Sequence, residues 1–530
     1  SAALGRRLLG HVETATERAD LLSSIADDSL TATIEALEQA LTLRPRDPRL
    51  LERLQAALEA AGRWRDAVDA KVALSETIEN PRDRARAMTA AAGMCARRTN
   101  DVPRAVALYE AAIADDPSAP GAFEAIEAVL LKNEDFGGID RATTRQLARL
   151  VERGETAAAT GLLDRLATLR ADRLYDMRGA IVALDQLVVL APSNVEARVR
   201  LASLLERTNE VELAARCLET AAEWGPTRPE TFRDLRRVCD RLGDVDRGYC
   251  ACAVLVHLGE ADVEEQEIYR RFAPETTPRP RAPLDAGAWT EIYAPEHDEV
   301  VSRIVHAVAP AATALRIEQL RVSRRMPDLS SAERHDPDKT TLTAVRTVAW
   351  ACAVLGIPVP EVYAKTEDLP GGIAHLPLPE PALLLGKSML TGRSVPELAF
   401  AIGRELACQH LTRRLVTFYP TMPELRSVLV AGVAQVLPSS LPSDVLQLRD
   451  GLQARIDPAH RAELERVVEA LQARGGRLDL KPWIRAIELA SCRAGLLVCG
   501  DITAAARMLA VDGRVVGGLS AADRIRDLIP

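Results

Sequence analysis

Proline-marked turns at a fixed interval constrain this 530-residue chain more than any other feature. They read "TLRPRDP", "IENPRD" and "IADDPSAP", and place Pro45, Pro81 and Pro117 at intervals of 36 residues. "LAPSN" at Pro192 and "EWGPTRP" at Pro226 fall close to where the same interval would continue, after one irregular unit around Asn133 to Gly154. A repeat of this length is the mark of a solenoid. Between turns lie paired amphipathic stretches such as "PRLLERLQAALEAAG" and "RWRDAVDAKVALSET", with Gly62 breaking the pair. Each unit is therefore expected to be a helical hairpin that must stack on its neighbours to bury its apolar face.

The segments "VPRAVALYEAAIADDP" and "ARVRLASLLERTNEVELAARCLETAAEWGP" resemble tetratricopeptide repeats, with small residues before an aliphatic or aromatic pair and a proline at the end. The resemblance covers about Ser29 to Phe272. It implies a superhelix whose concave groove holds a protein or peptide partner, the alternative being that these helices merely hold the downstream domain.

After Phe272 the period stops at "APETTPRPRAPLDAG", where Pro274, Pro278, Pro280 and Pro283 predict an extended spacer. The sequence thus divides into repeats over 1–272, a proline-rich linker over 273–284 and a second domain over 285–530. In the second domain the pattern becomes mixed: a helix from about Lys339 to Leu355, strand-like "PEVYAK" and "ALLLG", then helices to the end. "SRRMPDLSSAERHDPDK", Ser323 to Lys339, reads as a loop. The expected fold class is mostly α, an N-terminal α-solenoid of helical hairpins plus a C-terminal α+β domain with a small sheet.

In order, the second domain carries "IPVPEVYAK", "ALLLG", "ELAFAIGRELACQHL" and "ELASCRAGLLVCGD". These resemble the soluble catalytic domain of gluzincin metallopeptidases of the CAAX-prenyl-protease type, over about Gly356 to Leu509. That family binds zinc through two histidines one helical turn apart, with a glutamate between them as general base and a distant glutamate as third ligand. Carried over by position, the first histidine is Arg404 and the base is Glu405, followed by Leu406 and Ala407. The second histidine is Cys408, the third ligand Glu488, and the aspartate that supports a ligand becomes Cys492. Arginine has no lone pair and stays protonated, so Arg404 fails as a ligand and repels a cation. His410 lies about 200° around the helix from Cys408 and does not replace it.

The resemblance therefore implies a pseudo-peptidase with a vestigial site (Glu405, Glu488), no catalytic residues, no bound metal and no cofactor. Two arrangements are open: Arg404 pairs with Glu488, and with Glu405, where zinc would sit, or it reaches solvent and the glutamates lie on exposed faces. The rival functions are an active metal-dependent peptidase and a thiol or metal sensor built on Cys408, Cys492 and Cys499. Ile373, Ala374 and His375 occupy the place of the family's substrate-lining edge strand and are the candidate peptide contacts. His375 by itself reads as a surface or turn residue rather than a ligand.

Charge and composition narrow the classes. With 67 basic and 76 acidic residues interspersed, and a net charge of −9, no basic stripe suited to nucleic acid emerges. Only six of the basic residues are lysines, in keeping with GC-rich coding. Aromatics at 3% push the core toward Ala, Leu and Val. The nine scattered cysteines read as reduced thiols, which fits a cytoplasmic location. No apolar run approaches the roughly 18 residues of a membrane span, the best being Ser427 to Leu437. The chain opens at Ser1 without methionine, as a processed product or an excised piece would.

Overall fold

A computed structural model describes residues 17–18, 30–273, 277, 280–293, 298–409, 411–437, 440–514 and 516–530, with the side chains of 411–413 left out. His410, Pro274 and Pro278 lie outside the described residues. Contacts divide the chain into two compact units, Ser1–Glu210 and Val211–Pro530.

The described part of the first unit is a run of helices: α1 Leu30–Leu43, α2 Pro48–Ala60, α3 Trp64–Ser75, α4 Pro81–Met94, α5 Val102–Asp115, α6 Ala122–Lys132, α7 Phe136–Glu152, α8 Thr156–Asp172, α9 Met177–Leu190 and α10 Val195–Arg207. Proline and an acceptor side chain start several of them. Asp47 accepts from the Arg49 and Leu50 amides ahead of Pro48, and Asn80 accepts from the Arg82 amide ahead of Pro81. The segment that looked irregular in the sequence is an ordinary pair, α7 and α8. Its turn is made by Gly154 at φ +70° instead of by proline, a conformation glycine adopts without steric cost. Buried alanines such as Ala40, Ala67, Ala92 and Ala112 let neighbouring helices approach around Leu37, Leu58, Ile113 and Leu163.

A ladder of ion pairs tracks the repeat. Arg104 meets Asp69, Arg145 meets Glu110, Arg165 meets Glu127 and Arg200 meets Asp164, at separations of 35, 35, 38 and 36 residues. Each joins helices in equivalent positions of successive hairpins, and each is at least partly open to water.

The second unit begins with two more hairpin-like helices and their successors: α11 Val211–Trp224, α12 Pro229–Leu242, α13 Val245–Leu258 and α14 Val263–Phe272. Next come α15 Ala286–Ile292, α16 Glu299–Val322, β1 Arg334–His335, α17 Thr343–Leu355, β2 Glu361–Ala364, β3 Ile373–His375, β4 Ala382–Leu385 and a single turn at Lys387–Leu390. The remainder is helical: α18 Val395–Ala407, α19 Leu411–Phe418, α20 Met422–Val433, α21 Ser443–Gln453, α22 Pro458–Ala473, α23 Leu480–Cys499, α24 Ile502–Asp512 and α25 Ala521–Leu528.

The contact boundary at Glu210/Val211 falls before the proline-rich stretch, and the reason is visible. In α13, Tyr249 donates to the Gly500 carbonyl at 3.0 Å; in α14, Tyr269 donates to Asp501 Oδ2 at 3.0 Å, and the two rings stack. The far end of the stretch read as a spacer is also anchored, since the Leu284 amide donates to the Val354 carbonyl at 2.9 Å. The segment Ser323 to Lys339 contains a short helical turn at Ser331–Glu333 and strand β1, so it is more than a loop.

The sheet order is β1-β2-β4-β3, with β2 and β4 parallel and the other pairs antiparallel. β4, all aliphatic and buried along its length, is an inner strand, whereas β3 is an edge with His375 opposite Leu383. One core gathers α17, α18, α24, the sheet and the second half of α23; another gathers α16, α19 to α22 and the first half of α23. Glu488 sits on α23 between them. The one described helix long and apolar enough by composition to cross a membrane is α16, longer than the sequence reading of Ser427 to Leu437 allowed. Most of its apolar window (67%) is buried within the protein, and Trp483 Nε1 of α23 donates to its Ser302 hydroxyl at 2.9 Å.

Candidate functional site

Helix α18 starts on a capping box. The Ser394 hydroxyl accepts from the Glu397 amide, the Glu397 carboxylate accepts from the Ser394 amide, and Pro396 sits in the first turn. The helix ends at Ala407, so Cys408 is its cap residue. Against it lies α23, held close by facing glycines. A Cβ on Gly403 would stand 3.0 Å from Val498 and 3.3 Å from the Gly495 Cα, and one on Gly495 only 2.8 Å from the Phe400 carbonyl oxygen. This close approach brings Arg404 onto Glu488.

Arg404 Nη2 donates to Glu488 Oε1 at 2.7 Å and Nη1 to Asp512 Oδ2 at 3.1 Å; Glu405 Oε1 is 4.0 Å away. The pairing arrangement is the one adopted, and the solvent-reaching alternative is not: only 8% of the Arg404 side chain and 7% of the Glu488 side chain are exposed. A second guanidinium, Arg524 of α25, is fully buried. It donates to Glu488 Oε1 at 2.8 Å, Asp512 Oδ2 at 3.1 Å and the Arg514 carbonyl at 2.6 Å. Arg514 covers the cluster from the solvent side, donating to Glu405 Oε1 at 3.0 Å and pairing with Asp512. Three guanidinium groups thus face three carboxylates. Such a cluster tolerates burial because each charge has partners.

His375 is placed differently from its sequence reading. It lies on β3, the edge strand expected at Ile373–His375, but it is no surface or turn residue: its side chain is mostly buried, with Nε2 3.2 Å from Glu405 Oε2. Burial alone would raise the Glu405 pKa, but the hydrogen bond from His375 and the charges of Arg404, His375 and Arg514 outweigh it and hold the carboxyl well below its usual range. Glu405 is thereby kept ionised and occupied, the reverse of a general base poised near neutral pH. Arg404 is also penalised by burial, yet Glu488 and Glu405 push its pKa well above the ordinary value.

The three thiols do not form one centre. Cys408 Sγ is 3.5 Å from the Ser491 hydroxyl, Cys492 Sγ lies 3.7 Å from Glu488 Oε1, and Cys499 Sγ contacts the Asp501 carbonyl at 3.2 Å. Burial pushes Cys408 up to about 11 and Cys499 up to about 12, and raises Cys492 well above its ordinary value, so none is a reactive thiolate at neutral pH. The zinc implied by the resemblance does not fit these residues. The Arg404 guanidinium lies between the carboxylates, and among the described residues no three His, Cys, Asp or Glu side chains gather as a metal site would require.

A small cleft of about 150 Å³ opens beside the cluster, lined by Ile373, Phe400, Arg404, Glu405, Met508 and Arg514 among others. Asp512, Arg514 and Arg524 complete the arrangement and were not singled out in the sequence. They follow the last matching motif, and nothing in "VDGRVVGGLSAADRIRDL" distinguishes them from surface charges.

No protein-family model matches the chain, and no curated protein matches it. Among solved structures, parts of the chain are similar to YrrB, described as a TPR protein with an unusual peptide-binding site (17% identity, 36% of this chain and 92% of that one, TM-score 0.24). They are similar also to MamA (14%, 37% and 100%, TM-score 0.24) and to PilF of Pseudomonas aeruginosa (15%, 42% and 97%, TM-score 0.22). Overlaps of this size carry no argument. The helices, turns and period described above define the repeat architecture.

Proposed function

We propose that the chain is a non-catalytic interaction scaffold in which the helical repeats through Phe272 engage a protein or peptide. The C-terminal region would keep a zinc-peptidase frame whose metal position is taken by arginine. The observation that carries this reading is the Arg404 guanidinium, bonded at 2.7 Å to the glutamate that would be the third ligand and at 3.1 Å to Asp512. Edge strand β3 supports a second contact surface. Among the described residues, Ile373, Ala374 and His375 pair with β4 alone, which leaves a backbone edge to which an extended peptide can add without being cut. The nine scattered cysteines, read as reduced thiols, suit a reducing, cytoplasmic setting.

Elemental analysis of the purified chain, together with hydrolysis of a denatured protein substrate, tests the pseudo-peptidase half. The expectation is no stoichiometric zinc, and no turnover that responds to Glu405→Gln. Zinc at one per chain with cleavage lost in that variant would overturn it. For the scaffold half, a partner recovered with the intact chain should bind it again when both are pure; failure to reconstitute any such pair would count against binding as the function.

A further inference from the structure

A larger cavity lies apart from the arginine cluster, along α16. It holds about 740 Å³, within the roughly 300–1,000 Å³ of small-molecule sites, whereas the cleft beside Arg404 is about 150 Å³. Its floor is apolar, with Ala309 and Ile317 buried in α16 and Pro310 and Ala314 on the rim.

Its charges are lopsided. Arg321, Arg414 and Arg455 line it against one carboxylate, Glu318, and that carboxylate is already paired with Arg455. Arg414 has no carboxylate within ion-pair distance among the described residues. Its guanidinium is fixed instead by the Leu378 and Pro379 carbonyls, at 2.6 and 3.0 Å, and lies over the Phe418 ring. Burial pulls the Arg414 pKa below its ordinary value, offset in part by the charge of Glu380. A half-buried, pre-oriented cation with no carboxylate in ion-pair reach gains more from an arriving anion than an exposed one does. His306 and His460, whose rings are 5.9 Å apart, close one side, and His460 is engaged by Asp457 at 2.6 Å.

We infer that this cavity binds a small amphipathic carboxylate, its apolar body against Ala309, Pro310 and Ile317 and its carboxylate on Arg414 and Arg321. The same chemistry is presented by a free acyl acid and by the C-terminus of a peptide with an apolar last residue. Calorimetric titration of the full chain separates these sources with four probes: octanoate, octanamide, and N-acetyl-glycyl-leucine as free acid and as amide.

At least one acid is expected to bind saturably and its amide not to. Octanoate as the tighter acid assigns the site to acyl acids, and the dipeptide to peptide termini. Arg321→Gln should weaken binding about tenfold, the scale of one charge-assisted hydrogen bond. Ala314→Trp, on an exposed rim position, should abolish it while leaving the far-ultraviolet circular dichroism unchanged. Equal binding of acid and amide, no saturable binding of either acid, or unchanged binding in a folded Ala314→Trp variant would each overturn the assignment.

Discussion

In the repeat array, Arg104, Arg145, Arg165 and Arg200 each reach a carboxylate about one repeat earlier, on surfaces open to water. In the C-terminal region, Arg404 and Arg524 reach Glu488 and Asp512 with almost no exposure. The bond is the same and the surroundings differ. In water a broken pair is replaced by hydration, so the ladder contributes to register more than to stability. In the core nothing replaces a lost partner, so the cluster depends on every member being present.

Arg524→Met should break the contrast open most strongly. It leaves Glu488 and Asp512 short of a fully buried partner, and a loss of about 3–5 kcal/mol is expected in urea unfolding of the second unit. A loss below about 1 kcal/mol would mean that water or rearrangement replaces the guanidinium, making the cluster resemble the ladder. Gly495→Ala tests the close helix approach that creates the burial. The added Cβ would meet the Phe400 carbonyl at 2.8 Å, and a cost of about 1–3 kcal/mol is expected from thermal unfolding.

Acid sharpens the comparison further. The folded Glu405 pKa is depressed, so its contribution is complete above the unfolded value near 4.3 and is lost as pH falls toward the folded value. Stability measured by denaturant titration should therefore drop below about pH 4, and Glu405→Gln should flatten that drop. An identical acid profile in the variant would show that Glu405 is not the group responsible. The smallest effect belongs to the array. Asp69→Asn should cost less than about 1 kcal/mol and become indistinguishable from wild type in 1 M salt, whereas Arg524→Met should keep its deficit there.

The array was legible because its information is local and periodic: Pro45, Pro81 and Pro117 mark turns whatever the packing. Its one misleading stretch arose where Gly154 supplies by positive φ what proline supplies elsewhere. The Arg404–Glu488 contact was legible for a different reason. Periodicity places Arg404 and Glu488 on two apolar helices, and a buried cation beside a carboxylate leaves few stable arrangements. Arg524, Arg514 and Asp512 were not legible, because their burial is decided by how α24 and α25 fold back onto α23, which no local pattern announces. His375 was misread for a similar reason. A strand of three residues is too short to show alternation, and only pairing with β4 turns its side chain toward Glu405.

The bonds from Tyr249 and Tyr269 to Gly500 and Asp501 bear on how such a protein can be inherited. Asp501 also caps α24 by accepting from the Thr503 and Ala504 amides, and α24 ends at Asp512 inside the arginine cluster. A recombination event that exchanged the whole repeat array at the proline-rich stretch would strip two tyrosines from that helix start. One falling at Glu210/Val211 would leave it untouched. Descendants that acquire new repeats should therefore do so upstream of Val211, while α13 and α14 pass on as a block with the C-terminal fold.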